Sequence, residues 1–447
     1  MTAPSLIVGF GRTGQAMAAA LRRRGQPVVA CDDKAGDDAL RVAAAGLGVE
    51  LHEAPVAAAL ELLVQGAAEL LPAPGLPDHH PAFELAARHG VPVRSELDLA
   101  GRWDGRPVVA VTGTDGKTTV TTLATGMLVA SGVQAVAVGN NELPLVTAID
   151  DPGTEVFVVE ASSFRLLHSE RFAPLVGAWL NFAPDHLDSH RSLEAYQAAK
   201  ARIWRDQSPD QVAVGNADDP VVLAHLRSAV GRQQTFGMGG GADWRPEAGW
   251  LSGPGAPRFV AVDDLPRRFA HDVANALAAA AVALPAGATP EGCASTLRAF
   301  RGLPHRVELV ADEGGVRWFD SSKATTPHSA LNDVSVVGSA VLIAGGRNKG
   351  LDLRVLARAA PSLRGVVAIG EAAPDVAAAF VGLRPVTTAS SMTDAIAAAA
   401  AYAEPGDAVV LAPGCASFDW YSSYGERGDD FARGVRSQLG LDQEVST

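Results

Sequence analysis

Val108-Val109-Ala110-Val111-Thr112-Gly113-Thr114-Asp115-Gly116-Lys117-Thr118-Thr119 changes character halfway along. The first residues are apolar and β-branched, the pattern of a buried strand. Two glycines, a lysine and two threonines then lead into Thr119–Ala130, which has helical composition. Gly113 and Gly116 permit a tight loop of backbone amides. Lys117 brings a cation to the β- and γ-phosphates of a nucleotide, and Thr118 a hydroxyl for Mg²⁺. No glycine stands at Val111, so the loop is a shortened relative of G-x-x-x-x-G-K-[ST]. An accidental Gly-Lys-Thr after a strand is the competing reading. Asp115 sits badly in either, because a carboxylate beside phosphates repels them.

The same alternation continues on both sides. Leu6–Val8, Val28–Ala30, Val156–Val159, Ala340–Ala344, Val366–Ile369 and Ala408–Leu411 read as buried strands, with helical stretches such as Gln15–Arg24 and Pro290–Phe300 between strands. Near-continuous apolar strands separated by helices predict an α/β chain with parallel sheets covered on both faces. Gly101–Pro107 reads as a linker before a fresh strand, and Gly302-Leu303-Pro304 as a second boundary. The glycine-rich stretch 237–255 belongs to loops and small strands at an edge.

Length and composition bound the function. A chain of 447 residues predicts two or three domains. A net charge of −13 argues against a nucleic-acid-wrapping surface, which needs excess Lys and Arg. Three scattered cysteines form neither a disulfide framework nor a metal pair, which suits a reducing cytosol. There is no signal-peptide pattern and no apolar run of about 18 residues, so neither export nor a membrane partner is expected.

Further motifs carry chemistry. Gly9-Phe10-Gly11-Arg12-Thr13-Gly14 follows a strand and opens a helix, with Asp32 closing the next strand. That arrangement binds NAD(P), another diphosphate nucleotide, or nothing beyond a tight turn. Glu160 ends the strand Val156–Val159, a position suited to holding a nucleotide's Mg²⁺ or to an ordinary strand-end acid. Asn181-Phe182-Ala183-Pro184-Asp185-His186-Leu187-Asp188, followed by Tyr196 and Lys200, offers a histidine between two carboxylates. In the last third, Pro304-His305-Arg306, Asp320–Thr325, Gly345–Gly350 and Ala412–Ser417 each follow an apolar element. Cations, hydroxyls and glycine turns placed this way suit an anionic substrate.

Taken in order from Gly9 to Arg433, these motifs resemble the Mur ligase family. Gly302–Arg306, Ser322–Thr325 and the tail Cys415–Asp419, Tyr424 and Glu426–Gly428 narrow the likeness to members that add D-glutamate. The resemblance implies three α/β domains: a Rossmann-like UDP-binding domain (1–98), a central P-loop ATPase (99–302) and a Rossmann-like carboxy-terminal domain (303–447). It implies an ATP-dependent ligase that joins D-glutamate to UDP-N-acetylmuramoyl-L-alanine through an acyl phosphate in peptidoglycan precursor synthesis, acting as a cytoplasmic monomer.

Site residues follow from the same likeness. The UDP-substrate would meet Gly11, Arg12, Thr13, Asp32, Asp33, Lys34, Ala73, Pro74, Gly75, Asn140 and Ser162. ATP would meet the loop Gly113, Thr114, Asp115, Gly116, Lys117, Thr118 and Thr119, with Asn275, Arg306 and Asp320. Thr118 and Glu160 would hold one Mg²⁺; His186 and a carbamylated Lys200 would hold a second. D-Glutamate would meet Lys323, Thr325, Lys349, Ser417 and Tyr424, and catalysis would rest on Lys117, His186, Lys200 and Lys323.

The chain departs from the family pattern in places. Ser321 stands where Asp is usual, Asp115 and Asp272 where Asn is, and Arg165 where Gln is common; Asn141-Glu142 replaces an Ile-Gly pair. Three other readings stay open: an NAD-dependent dehydrogenase, a relative with impaired ATP turnover, and a ligase taking another amino acid.

Overall fold

The computed structural model describes residues 3–139, 143–185 and 189–441. His186, Asn140, Asn141 and Glu142 lie outside the described residues. Two compact units divide at Phe300 and Arg301.

The first unit holds two parallel sheets. In the amino-terminal one, β1 (Ser5–Val8) lies between β2 (Val28–Asp32) and β4 (Glu69–Pro72), with β3 (Glu50–Glu53) outside β2. The second contains β5 (Val108–Thr112), β6 (Ala135–Gly139), β7 (Val156–Glu160), β8 (Val176–Trp179), β9 (Val212–Asn216) and β10 (Arg232–Phe236). Its order is β10-β9-β8-β5-β7-β6, parallel throughout. In both sheets the first strand in the chain becomes an inner strand, because later crossovers go to either side of it. A crevice opens at the carboxyl end of such a strand, where the loops diverge. Gly9–Gly14 follows β1 and Gly113–Lys117 follows β5, so both glycine loops sit at these switch points.

Burial explains why the strands read as unbroken apolar runs. Val109, Ala110 and Val111 are fully enclosed: Val109 and Val111 pack with the helix Lys117–Ala130 on one face, while Ala110 meets the opposite core. Gly14 lets the helix Arg12–Arg23 approach its strand, since a Cβ there would lie 2.2 Å from the Gly9 carbonyl oxygen. The 237–255 stretch contributes to a separate antiparallel sheet, Arg245–Glu247, Trp250–Gly253 and Ala256–Ala261.

Two expectations need correction. Gly101-Arg102-Trp103 is the last turn of a helix, Glu96–Trp103, begun by a capping box in which Ser95 and Asp98 satisfy each other's backbone amides. The connecting segment is therefore shorter than 101–107. In the second unit the sheet is mixed rather than parallel. Its order is Glu308–Glu313, Val316–Asp320, Ala408–Leu411, Ala340–Gly345, Leu363–Ile369 and Val386–Thr388, and the first of these pairs antiparallel through the tight turn at Gly314-Gly315.

Candidate active site

The phosphate loop is already shaped by contacts from a neighbouring segment. Gly116 adopts φ +82°, and a Cβ there would lie 2.7 Å from Asn275 Oδ1, so Asn275 does sit against the loop. The Asn181 carboxamide oxygen accepts from the amides of Thr114 (2.9 Å) and Asp115 (2.8 Å), and its NH₂ donates to the Asp115 carbonyl (3.1 Å). The Thr114 hydroxyl donates to the Ala183 carbonyl at 3.1 Å and accepts from the Ala183 amide at 3.0 Å. These two residues of the expected ATP loop therefore spend their nearest polar groups on the 181–183 segment. Nothing in the spacing of Asn181 reveals a side chain that templates a loop 66 residues away.

Asn181→Ala strips one acceptor from two loop amides and one donor from a carbonyl. With net values of about 1 kcal/mol per hydrogen bond, the KM for ATP is expected to rise about tenfold or more. Steady-state kinetics showing an unchanged KM for ATP would contradict this account.

Two lysines converge on the same loop. Lys117 Nζ donates to the carbonyls of Gly113 (2.9 Å) and Thr114 (2.8 Å). Lys200, on the helix Leu193–Arg205, is 1% exposed and donates to the Gly113 carbonyl at 2.6 Å, with Nζ 4.5 Å from the Tyr196 ring centroid. Burial, seconded by the charge of Lys117, pushes the Lys200 amine well below its ordinary basicity. Asp185 and Asp115 pull the other way. Asp115 thus pulls the Lys200 amine back toward its charged form, and the Lys117 ammonium, which donates within the same loop, offsets the repulsion expected from the position of this carboxylate.

Glu160 closes β7 beside β5, in register with Val111, and is 3% exposed. A hydroxyl at Thr118 in the first helical turn and a buried carboxylate at Glu160 are oxygen donors of the kind Mg²⁺ requires. The lowered basicity of Lys200 favours its uncharged amine, which repels such an ion less than an ammonium does. The donor chemistry therefore fits a nucleotide-bound divalent cation.

The second predicted site is also assembled within the first unit. Gly11, Arg12, Thr13, Ala73 and Pro74 line one cavity of about 290 Å³. Gly139, Pro144 and Arg165 complete its wall. Gly75 forms the adjoining turn with φ +98°. Asp32 turns inward instead of outward: its carboxylate accepts from the amides of Phe10 (2.7 Å) and Lys34 (3.0 Å), bracing the glycine loop. Asp33 lies 3.3 Å from His80 Nε2, while Lys34 is exposed. Ser162 caps the short helix Ser163–Leu167, its hydroxyl accepting from the Arg165 amide. Burial lowers the Arg165 guanidinium to about 10, still charged at neutral pH.

In the second unit, Asp320 is 1% exposed and fully engaged. Oδ1 accepts from the Ser322 amide (2.8 Å), and Oδ2 lies 2.6 Å from His305 Nδ1, which raises the His305 pKa. Ser321, in the usual place of an Asp, instead donates to Asp333 at 2.5 Å. Lys323 Nζ lies 3.8 Å from the centroid of the Tyr424 ring, a cation–π contact. Arg427, 1% exposed, carries no signal in the sequence beyond its motif, yet it ties the two predicted amino-acid loops together by donating to Ser322 Oγ (2.9 Å), the Ser322 carbonyl (2.9 Å) and the Cys415 carbonyl (3.1 Å). Ser417 is buried beside that loop, whereas Lys349 is exposed in the turn after Gly345-Gly346. In sequence, Arg306 directly follows His305, and Thr325 lies beyond Asp320 in the same loop.

A glycine loop at each switch point of the first unit, one shaped for phosphate with two lysines over it, defines a nucleotide-using α/β enzyme. Comparison with known families agrees: a Mur ligase middle domain matches residues 111–283, and a Mur ligase glutamate ligase domain matches 305–415. The chain belongs to the Mur ligase family, whose members are ATP-dependent ligases. Among its relatives, the UDP-N-acetylmuramoylalanine–D-glutamate ligase of Frankia casuarinae is 43% identical over 98% of this chain and 94% of its own length. The enzyme of the same name from Desulfosudis oleivorans is 38% identical over 96% and 95%. A solved structure of MurF from Acinetobacter baumannii shares the fold, with a TM-score of 0.61 at 18% identity over 97% and 90%. Among the described residues, no helix is long and apolar enough to cross a membrane.

Proposed function

We propose that this chain joins D-glutamate to UDP-N-acetylmuramoyl-L-alanine, with ATP converted to ADP and phosphate, in peptidoglycan precursor synthesis. Near-full-length similarity to D-glutamate ligases at up to 43% identity carries the reading. The dehydrogenase alternative gives way to it, because the phosphate loop and its lysines lie in the middle-domain match.

The division of labour we favour has residues 1–98 holding UDP, 99–302 holding ATP and 303–447 holding the amino acid. The UDP moiety enters the cavity of Gly11, Arg12, Thr13, Ala73 and Pro74, with Asp32 bracing the loop and Asp33, Lys34, Gly75, Asn140 and Ser162 around it. ATP lies over Gly113–Thr119 and Asn275, and Arg306 and Asp320 stay proposed ATP contacts by family likeness alone. Thr118 and Glu160 would hold one Mg²⁺, His186 and Lys200 a second. Bound there, the ions would neutralise phosphate charge during transfer.

In the reaction, a substrate carboxylate oxygen attacks the γ-phosphorus and the bond to ADP breaks, giving an acyl phosphate. The D-glutamate amine then attacks the acyl carbon, loses a proton, and phosphate departs as the amide forms. Lys117 neutralises charge on the transferring group, and the loop holds reactants in line. Lys323, Thr325, Lys349, Ser417 and Tyr424 receive D-glutamate. The low basicity of Lys200 supports its carbamylation: a neutral amine attacks CO₂, forms the N–C bond and releases a proton, becoming an anionic oxygen ligand. We place the enzyme in the cytoplasm as a monomer; its three buried free cysteines suit a reducing compartment.

Phosphate release with UDP-N-acetylmuramoyl-L-alanine and ATP is expected to require D-glutamate, with a preference over L-glutamate on the order of 10²-fold or more. Strong release with another amino acid, and none with D-glutamate, would overturn the substrate assignment while leaving the ligase reading in place.

A further inference from the structure

Arg165 is 5% exposed and charged, and it stands in the wall of the amino-terminal cavity. Three of its N–H groups have acceptors. Nη1 donates to the Glu96 carboxylate, and Nη2 donates to Thr13 Oγ1 and to the Gly139 carbonyl, each at 3.2 Å. Nε is enclosed and has no hydrogen-bond acceptor among the described residues.

These partners come from different layers. Thr13 opens the helix that follows β1, Gly139 ends β6 in the other sheet, and Glu96 begins the helix that joins the two. Thr13, Gly139 and Arg165 all line the cavity. Glu96 is itself fixed: it is 2% exposed, and its other oxygen accepts from the Val146 amide at 3.1 Å. A buried ion pair of this kind is a poor way to gain stability, since two well-packed apolar side chains do as well or better. What it provides is direction. A planar fork held by a carboxylate points its remaining donors along fixed lines, here at one group on each side of the cavity.

We infer that Arg165, anchored by Glu96, is a positioning residue for the UDP-substrate: it holds the Thr13 side of the first glycine loop at a set distance from the end of β6. This rests on the reading of that cavity as the UDP site.

The test uses UDP alone as the probe, by calorimetry on the full chain, beside the KM values for UDP-substrate and ATP. Arg165→Gln combined with Glu96→Gln removes both charges together, so no lone buried charge is left to unfold the protein. Arg165→Lys keeps the charge and loses the fork. Gly11→Trp tests the cavity separately, because a Cβ at Gly11 meets nothing within 4 Å and the indole can enter the open space.

The double variant is expected to weaken UDP and raise the KM for UDP-substrate about tenfold or more, the worth of hydrogen bonds from a charged group, with the KM for ATP within about twofold. The lysine variant is expected to remain weakened. If the double variant lowers only the melting temperature and UDP affinity stays at the parent value, Arg165 is a structural ion pair and the inference fails. An equal rise in both KM values overturns it too. If Gly11→Trp still binds UDP like the parent, the cavity is not the UDP site, and the reading beneath the inference falls instead.

Discussion

Lys117→Ala is expected to leave a folded protein whose D-glutamate-dependent phosphate release falls by roughly 10³-fold or more, the scale seen when a preorganised charge on a transferring phosphoryl group is removed. In the structure its ammonium spans the loop, donating to Gly113 and Thr114 carbonyls at 2.9 and 2.8 Å. The loop does not depend on it for shape, because the Asn181 carboxamide independently fixes Thr114 and Asp115. The loss should therefore fall on kcat more than on the KM for ATP, the signature of an interaction that strengthens in the transition state. A second effect compounds it. The charge of Lys117 helps lower the Lys200 pKa, so its removal shifts Lys200 toward the ammonium and makes a reactive free amine scarcer. Single-turnover phosphate release at full nucleotide saturation measures the chemical step directly. Turnover near the parent rate would remove this loop from the active site.

The parts of this molecule legible in the sequence are those governed by neighbours in the chain. Apolar runs such as Val108–Val111 mark strands buried on both faces, and glycines followed by a helix mark the turns at their ends. Both glycine loops are legible this way, from a strand, a glycine turn and a helix in succession, whereas their placement at switch points depends on a strand order that the sequence does not show. Short-range polar signals were harder to weigh. Ser95 and Asp98 stand three apart, the spacing of a capping box, yet the glycines and proline of Gly101–Pro107 carry the pattern of a linker.

What the sequence hid is long-range pairing of polar groups. Asn181 reaches back 66 residues to Asp115, Arg165 reaches 69 to Glu96 and 152 to Thr13, and Arg427 reaches 105 to Ser322. No periodicity encodes such contacts, since they depend on which loops the finished sheets bring together. The same limit explains Asp115 and Asp32. Read from its neighbours alone, Asp115 repels phosphate, yet it lies in the field of Lys200; Asp32 reads as a UDP-substrate contact, yet its carboxylate braces the Phe10 and Lys34 amides.

Lys200→Met is expected to separate stability from activity. Methionine has similar length and carries no charge to desolvate; its sulfur can rest against Tyr196 as the ammonium does. Gly113 keeps a donor, because Lys117 Nζ also reaches its carbonyl. In buffer free of CO₂ and Mg²⁺, the variant should melt higher than the parent near pH 7, by roughly 2–4 °C for each kcal/mol relieved.

The pH dependence gives this a sign. Unfolded, the amine titrates near 10.5; folded, burial holds it well below that. Between the two values the unfolded chain binds a proton the folded chain does not, so parent stability climbs with pH across that interval. The gap between variant and parent should therefore shrink as pH approaches 10.5, while every group common to both cancels. A gap that widens toward high pH would mean that Lys200 is held as a charged partner, not as a desolvated amine. Turnover of the variant should be lost at every pH, because methionine can neither take up CO₂ nor offer an oxygen to a cation, and activity near the parent level would refute the role proposed for this lysine.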